Sequence, residues 1–463
     1  MEFDITLTGT NADTGMHGIV RFQNNIQSIF QRLRVLYGST PLEDIMNYNV
    51  IVRALTEWTA TDQMSTMDQT SVAEGIGGVV PVSTGTGSPV TALQNTRQTY
   101  IHGTDNSVGA LTSGNVPSRA VAAGATNGAQ VTRRYQVNIA AGLFTQDKLI
   151  PTKFMASQFA LEFTLATEAQ CMISFVKTLT GDTTATGSPT YSLTNANIVA
   201  EVLEFDASYD AMFALGLKNG GVPLKYSTWN TYFFSIGGSA SLNLQIQERS
   251  RSVKALFAVQ RRFPEVIYTD SHAFFFESGG GTMQTFQYRI GAKYYPAQPV
   301  TLNTTTSTPN GGAEAIVELQ KALNVVGDYR LSTGINTLRW ALPRATASVD
   351  YVNTIAGQEA DFATTVTGFS STGVPTFSVP QYPIAGNVGS SCFTAAIDLE
   401  TSNGIQGLKI GVEISGLNAE EQSDISLSVV YSATQADVYI LEFYAFVDKM
   451  VILGENNTMV LVE

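Results

Sequence analysis

Short runs of alternating apolar and polar residues recur along the whole chain. "EFDITLTG" (2–9), "ALEFTLATE" (160–168), "VAEVLEFDAS" (199–208) and "SLNLQIQE" (241–248) each predict a strand. So do "VKALFAVQRR" (253–262), "FQYRIGAKYY" (286–295), "GLKIGVEISG" (407–416), "DISLSVVYSA" (424–433) and "ADVYILEFYAFVDKMVIL" (436–453). Most are short, rich in Val, Ile, Phe, Tyr and Thr, and bounded by Gly, Asn, Ser or Pro. That is the period and punctuation of β-strands. No regular alternation of strand and helix accompanies them, so a sandwich or barrel is expected rather than a parallel α/β sheet.

Helical periodicity is rare. In "SIFQRLRVLYGSTPLEDIMNYN" (28–49) an alternating run over 29–37 meets a corner at Gly38. The residues that follow predict a helix over about 41–57. Thr40 is placed as N-cap, Pro41 suits the first helical position, and Glu43 completes a capping box. Glu43 and Asp44 then lie at the positive end of the helix. Leu42, Ile45, Met46, Leu55 and Trp58 supply its apolar face. A second helix is predicted over about 312–324, "GAEAIVELQKALN", with Ile316, Leu319 and Leu323 along one side.

Two stretches rich in Thr, Gly, Ser and Ala, 61–132 and 325–388, read as long loops. Loops of that length usually have a task. They also expose a repeat. The first half runs strand (29–37), Gly38, Pro41, helix, long loop, strands. The second runs strand (286–295), Pro296, Pro299, helix, long loop, strands. Two similar β domains are therefore expected, 1–225 and 226–463, with the joint near 220–228.

Composition narrows the function. Charged residues make up 14% of the 463 residues and the net charge is −13, against roughly 25% charged residues in an average domain. That argues against a surface that grips nucleic acid throughout. The most basic stretch, Arg249, Arg251, Lys254, Arg261 and Arg262, reads as a solvated strand face or an intersubunit contact, with a local nucleic-acid contact as the alternative. Cys171 and Cys392 lie in apolar runs and read as small buried side chains, not as a disulfide framework or zinc site. His17, His102 and His272 are scattered, so no metal site is expected. The motifs of nucleophile elbow, zinc protease, P-loop and dinucleotide fold are missing. No cofactor and no catalytic residues are expected. The N-terminus lacks the pattern of a signal peptide, and no apolar run is long enough for a membrane-spanning helix. The sequons at Asn303 and Asn456 are short enough to arise by chance.

Four segments carry a resemblance. The 28–49 segment resembles the strand-corner-helix of the first domain of double jelly-roll major capsid proteins, most closely those of the virophage and Polinton-like virus group. "GLFTQDKLIPTKFMASQFALEFTLA" (142–166), with Pro151, is similar to that family's next signature. "FQYRIGAKYYPAQPV", with Gly291, Pro296 and Pro299, followed by "EAIVELQKALN", resembles the corner and helix of the second jelly roll. "SSCFTAAIDLETSNGIQGLKIGVEIS" (390–415), with Asp398 and Glu400, resembles a late segment of the family. They occur in the family's order and span most of the chain.

The resemblance implies an all-β fold of two tandem eight-stranded jelly rolls with short helices and long surface loops. It implies a homotrimer with a pseudo-hexagonal outline. Such trimers, with neighbouring capsomers, penton proteins and minor or cement proteins, tile an icosahedral shell around a DNA genome. Contact with genome or inner membrane is then indirect. The place implied is the virion, assembled inside the host cell. The long loops would form outward tops, and the corner helices would brace the flank or base of each barrel. The sequence departs from the family in two ways. It has about 30 residues before its first corner, where the family carries at least one further strand. It also lacks the basic tail of some members.

Two other classes fit a jelly roll. A carbohydrate- or receptor-binding protein could stack sugars on Trp58, Trp229 or Trp340, although two of these lie beside predicted core elements. A glycoside hydrolase needs only two carboxylates, whereas a cupin needs clustered histidines, which the spacing does not offer.

Overall fold

Alternation becomes antiparallel sheet. The computed structural model describes residues 1–9, 18–22, 26–59, 104–105, 118–121, 129–146, 148–176, 190–262, 283–302, 313–323, 366–369, 375–377, 393–400, 424–432, 434, 439–454 and 459–462. The first half holds β1 (Glu2–Gly9), β2 (Gly18–Phe22), β3 (Phe30–Tyr37), β4 (Thr40–Met46) and α1 (Tyr48–Thr59). It continues with β5 (Thr104–Asp105), β6 (Ser118–Val121), β7 (Ala129–Gln136), α2 (Gly142–Thr145), β8 (Phe159–Leu165), α3 (Glu168–Cys171), β9 (Met172–Val176) and β10 (Thr190–Asn197). After α4 (Ala207–Lys218) come β11 (Val222–Ile236), β12 (Ser241–Ile246), β13 (Val253–Arg262), β14 (Met283–Ile290) and β15 (Lys293–Thr301). The rest are α5 (Ala313–Ala322), β16 (Val366–Phe369), β17 (Pro375–Phe377), β18 (Ala395–Asp398), β19 (Ile425–Tyr431), β20 (Tyr439–Leu453) and β21 (Met459–Val462).

In the second half, β11, β12, β13, β14, β15, β18, β19 and β20 form two facing sheets. One has the order β11-β20-β13-β18, the other β12-β19-β14-β15. Taken in chain order, these are the first, eighth, third and sixth strands against the second, seventh, fourth and fifth. That interleaving is the jelly roll. Hydrogen bonds cross between the sheets, from Tyr431 Oη on β19 to Gln260 on β13 and from Tyr288 Oη on β14 to the Ala395 carbonyl on β18, each 2.8 Å.

The first half repeats the plan. Gly38 joins β3 to β4 with φ 58°, and Gly291 joins β14 to β15 with φ 57°. Both supply the positive φ that the first central position of a type II′ turn requires. The Gly38 amide donates to Gln158 just before β8, and the Gly291 amide to Asp424 just before β19, both at 3.1 Å. Hence β3, β4 and β8 correspond to β14, β15 and β19. The sheet β10-β1-β7 then corresponds to β20-β13-β18. The fold is all-β, a double jelly roll, as expected.

A further sheet, β5-β6-β2-β9, is built from connections. It uses the links β1–β3, α1–β7 and β8–β10. Successive antiparallel strands bring these three links to one end of the barrel, opposite the Gly38 corner. Parts of the predicted loop 61–132 therefore form β5, β6 and the start of β7. In the other predicted loop, β16 pairs with β17. The remainder of both loops, and the predicted strand 407–416, lie outside the described residues.

Three expectations are corrected. Residues 40–46 are strand, and α1 begins only at Tyr48. Among the described residues β4 is an edge strand paired with β3 alone, a place where proline such as Pro41 is tolerated. Asp44 pairs across to Arg32, whose Nε lies 2.7 Å from Oδ1. Asn47, with φ 50°, breaks strand from helix, and asparagine accepts that conformation. Second, 286–295 is not one strand but a hairpin turning at Gly291, with Pro296 and Pro299 in the edge strand β15. Third, 199–208 forms no strand. Among the described residues no strand or helix is formed from 198 up to Asp206, whose Oδ1 accepts from the Tyr209 amide (2.9 Å) and starts α4. The second predicted helix is α5, close to its expected bounds.

Burial follows the layers. β19 alternates buried and open positions, as a sheet with one solvated face should. Every described position of β13 and β20 is buried or half-buried. One face of their sheet packs on the facing sheet, and the other receives side chains from the first half. Cys171 is a buried thiol, and Cys392 lies outside the described residues.

Candidate functional site: the seam between the halves

β4 and α1 of the first half lie against β11, β13 and β20 of the second. The Glu43 side chain on β4 is buried there. Its Oε2 accepts from the Gly142 amide (2.9 Å) and Thr228 Oγ1 (2.6 Å), and its Oε1 from the Leu143 amide (2.6 Å). One carboxylate thus ties β4, the start of α2 and β11. Gly142 cannot be replaced without moving β11, because a Cβ there would lie 1.9 Å from the Ser227 carbonyl oxygen. Tyr226 Oη donates to the Leu42 carbonyl (3.0 Å) and Thr231 Oγ1 to the Met46 carbonyl (3.2 Å).

Burial pushes the Glu43 carboxyl above its ordinary range, against the hydrogen bonds and the charge of Lys449, which pull it down. A raised folded-state value means stability that is fully present below the unfolded value. That stability is lost as pH rises through the folded value. The stability difference between the native chain and Glu43→Gln should therefore shift against the native chain as pH rises from about 4 to 8. Urea melts across that range check this; parallel curves for the two proteins contradict it.

Two more carboxylates are buried on β20. Glu442 Oε1 accepts from Arg261 Nε (3.1 Å) and Nη2 (2.7 Å) and from Asn47 Nδ2 (2.7 Å), and Oε2 accepts from Tyr444 Oη (2.9 Å). Asp448 meets Lys254 Nζ at 3.0 Å and accepts from Ser227 and Ser252 hydroxyls, each at 2.8 Å. The basic stretch is thus no single solvated face. Lys254 and Arg261 turn into buried pairs, while Arg249 pairs with Asp424 at the surface. The Arg262 side chain lies outside the described residues.

Trp58, near the end of α1, is fully buried. It stacks on Phe257 of β13 with centroids 4.8 Å apart, and its Nε1 donates to Thr394 Oγ1 at 3.0 Å. Trp229 meets Phe446 at 4.7 Å and Phe257 at 5.4 Å. Neither ring forms an open sugar platform; Trp340 and the three histidines lie outside the described residues.

The signature residues are spread along the barrels. Gly38 and Gly291 form the corners, and Pro41, Pro296 and Pro299 lie on edge strands. Ile45 is buried and Asp44 exposed beside Arg32. Pro151 precedes a single 3-10 turn over Thr152–Phe154. Asp398 ends β18 and accepts from the Glu400 amide (2.9 Å). Of these signature residues Glu43 is hydrogen-bonded across the seam, next to Leu42, whose carbonyl accepts from Tyr226. Sequence reasoning missed Asn47, Gly142, Glu442 and Thr394. Among the described residues no group of His, Cys, Asp and Glu could hold a metal ion, and no helix is long and apolar enough to cross a membrane.

No protein-family model matches the chain, and no curated protein matches it. Among solved structures it is similar to a chain of the Sputnik virophage, with TM-score 0.47 and 12% identity over 100% of this chain and 80% of that one. It is also similar to the mavirus major capsid protein, with TM-score 0.45 and 8% identity over 100% and 82%. A third is the Faustovirus major capsid protein, with TM-score 0.41 and 9% identity over 97% and 85%.

Proposed function

We propose that this chain is a structural major capsid protein. Three copies form a pseudo-hexagonal capsomer, and capsomers tile an icosahedral shell enclosing a DNA genome. The observation that carries this is the repeated strand plan within one chain, with the halves locked by a buried seam. Two similar, rigidly joined barrels give a trimer six similar sides, so one gene product can fill hexagonal positions. The halves are taken as 1–225 and 226–463, and the corner residues Gly38 and Gly291 as parts that shape equivalent ends of each. The mavirus and Faustovirus chains named above are major capsid proteins.

The surface suits permanent contact. Phe233, Tyr294 and Leu149 are exposed, and lasting interfaces above about 2,000 Å² are more apolar than transient ones. Partners in this reading are neighbouring capsomers, penton proteins and minor or cement proteins, and the place is the virion. The role is structural rather than enzymatic. Light scattering with negative-stain microscopy tests it. The expected result is particles of hexagonal outline at three times the 49.7 kDa chain mass. A chain that remains monomeric at every concentration counts against it.

A further inference from the structure

We propose that Lys254 and Asp448 of the second half join as a side-chain amide, a covalent link that forms within the folded chain without a separate enzyme. The inference stands on the chemistry and placement of the pair, and holds whether or not the chain builds a shell.

Strand geometry delivers the lysine. β13 and β20 are neighbours, with Val253 opposite Val447 and Ala255 opposite Phe446. Lys254 is therefore the extra residue of a β-bulge, a device that re-aims a side chain. Its Nζ lies 5.5 Å from the centre of the Phe446 ring and 3.0 Å from Asp448 Oδ1. Ser227 stands opposite Asp448 on β11. The site belongs to the seam, because the start of α2 packs so closely on Ser227 that Gly142 has no room for a Cβ.

Two hydroxyls hold the carboxylate. Ser227 Oγ donates to Oδ1 and Ser252 Oγ to Oδ2, each at 2.8 Å, and Lys254 Nζ donates to Ser227 Oγ at 3.1 Å. An amine held beside a fixed carboxyl turns a bimolecular condensation into a unimolecular one, for which effective molarities reach about 10⁵–10⁸ M. The hydroxyls also stabilise the charge that grows on the carboxyl oxygens as their carbon becomes tetrahedral.

Burial favours the product. The side chains of Lys254 and Asp448 are 13% and 2% exposed. Two full charges are costly there, whereas an amide carries none. Lys153 pairs with Asp210 and Lys321 with Glu318, but these lysines are 69% and 38% exposed, so water solvates them as ions. Arg261 and Glu442 bridge the same two strands and are also buried, but a guanidinium keeps its proton and offers no nucleophile.

The step balances without a further reactant. An ammonium and a carboxylate together hold the three hydrogens and two oxygens of one amide and one water. The Nζ lone pair forms the bond to Asp448 Cγ, one C–O bond breaks, and two protons pass from Nζ to the departing oxygen. Glu400, two residues beyond the end of β18, is suited to carry them. The Leu399 amide donates to the Lys254 carbonyl at 2.8 Å, which brings this segment alongside Lys254. Burial pushes the Glu400 carboxyl above its ordinary range; the charge of Lys254 opposes the rise, and those of Asp398 and Asp448 add to it. A carboxyl raised in this way accepts and returns protons at neutral pH more readily than an ordinary one.

The test is the intact mass of the full chain, denatured after being held folded. The expected mass is one water below that of the sequence, and proteolysis should release a branched peptide joining Lys254 to Asp448. Lys254→Arg keeps the charge pair but cannot form the link, and should show its full mass. Glu400→Gln should melt as the native chain does, yet link more slowly by about a hundredfold or more. The proposal is overturned if the native chain keeps its full mass after prolonged folding and yields Lys254 and Asp448 in separate peptides. It is equally overturned if a lost water maps to other residues. Linking in Glu400→Gln at the native rate would remove Glu400 from the chemistry. The mass of the native chain decides the link itself even where a variant fails to fold.

Discussion

Arg261→Met is expected to cost about 3–5 kcal/mol of stability, because it strands a charge inside the protein. The Glu442 side chain is 0% exposed and that of Arg261 12%. Two guanidinium hydrogen bonds reach one carboxylate oxygen. Without them, Glu442 keeps only Asn47 and Tyr444, neither of which carries a compensating charge. Removing both charges should behave differently. Arg261→Met with Glu442→Leu replaces the pair by apolar volume in a strand already buried on both faces. Such replacements are often neutral or stabilising. The double variant should therefore recover most of the loss, apart from the unpaired Asn47 amide and Tyr444 hydroxyl. Urea melts of the two single variants and the double form the cycle. A loss below about 1 kcal/mol for Arg261→Met would show that water reaches Glu442 and that the seam is not closed there.

The same pair shows what could be read in advance. Glu442 and Asp448 interrupt the apolar run "YILEFYAFVDKM", and a carboxylate in such a run signals a buried partner. The partner itself is not legible. Arg261 is 181 positions away and Asn47 is 395 away. Only the jelly-roll order brings β13 beside β20, and only the packing of the halves brings Asn47 to them.

Strands were legible because period-two alternation is local; β1, β13 and β19 lie where the pattern puts them. The β3–β4 corner was legible as a corner but not as a hairpin. Thr40, Pro41 and Glu43 satisfy a capping box and an edge strand equally well. Pairing with β3, fixed by Arg32 and Asp44, decides it. Glu43 was read as a helix-terminal charge for that reason, whereas it is a buried link between the halves. α4 escaped because its apolar residues do not gather on one face, and "VAEVLEFDAS" has the β-branched content of a strand. The repeat was read from its punctuation, Gly and Pro around each corner. These mark backbone demands that survive even where side chains differ.

Trp58→Ala should be as damaging as loss of the ion pair, by a different route. The indole is fully buried, and removing a buried aromatic costs about 3–5 kcal/mol through lost transfer energy and the cavity left behind. Here the cavity opens between halves. Phe257 loses its stacked partner, and the Thr394 hydroxyl, itself buried, loses the indole donor. Trp58→Phe separates these parts. It keeps an aromatic ring against Phe257 but cannot donate to Thr394, so it should cost about 1–3 kcal/mol. The readout is more than a lowered melting point. Trp58 stacks its ring on the second half and donates to it, so its loss should weaken the coupling of the halves. Calorimetry should then resolve one cooperative transition in the native chain into two in Trp58→Ala. Proteolysis should find the segment 198–206, which forms neither helix nor strand, sooner. One transition within about 1 kcal/mol of the native chain would mean that the halves are held chiefly by Glu43 and Glu442, leaving α1 to brace only its own barrel.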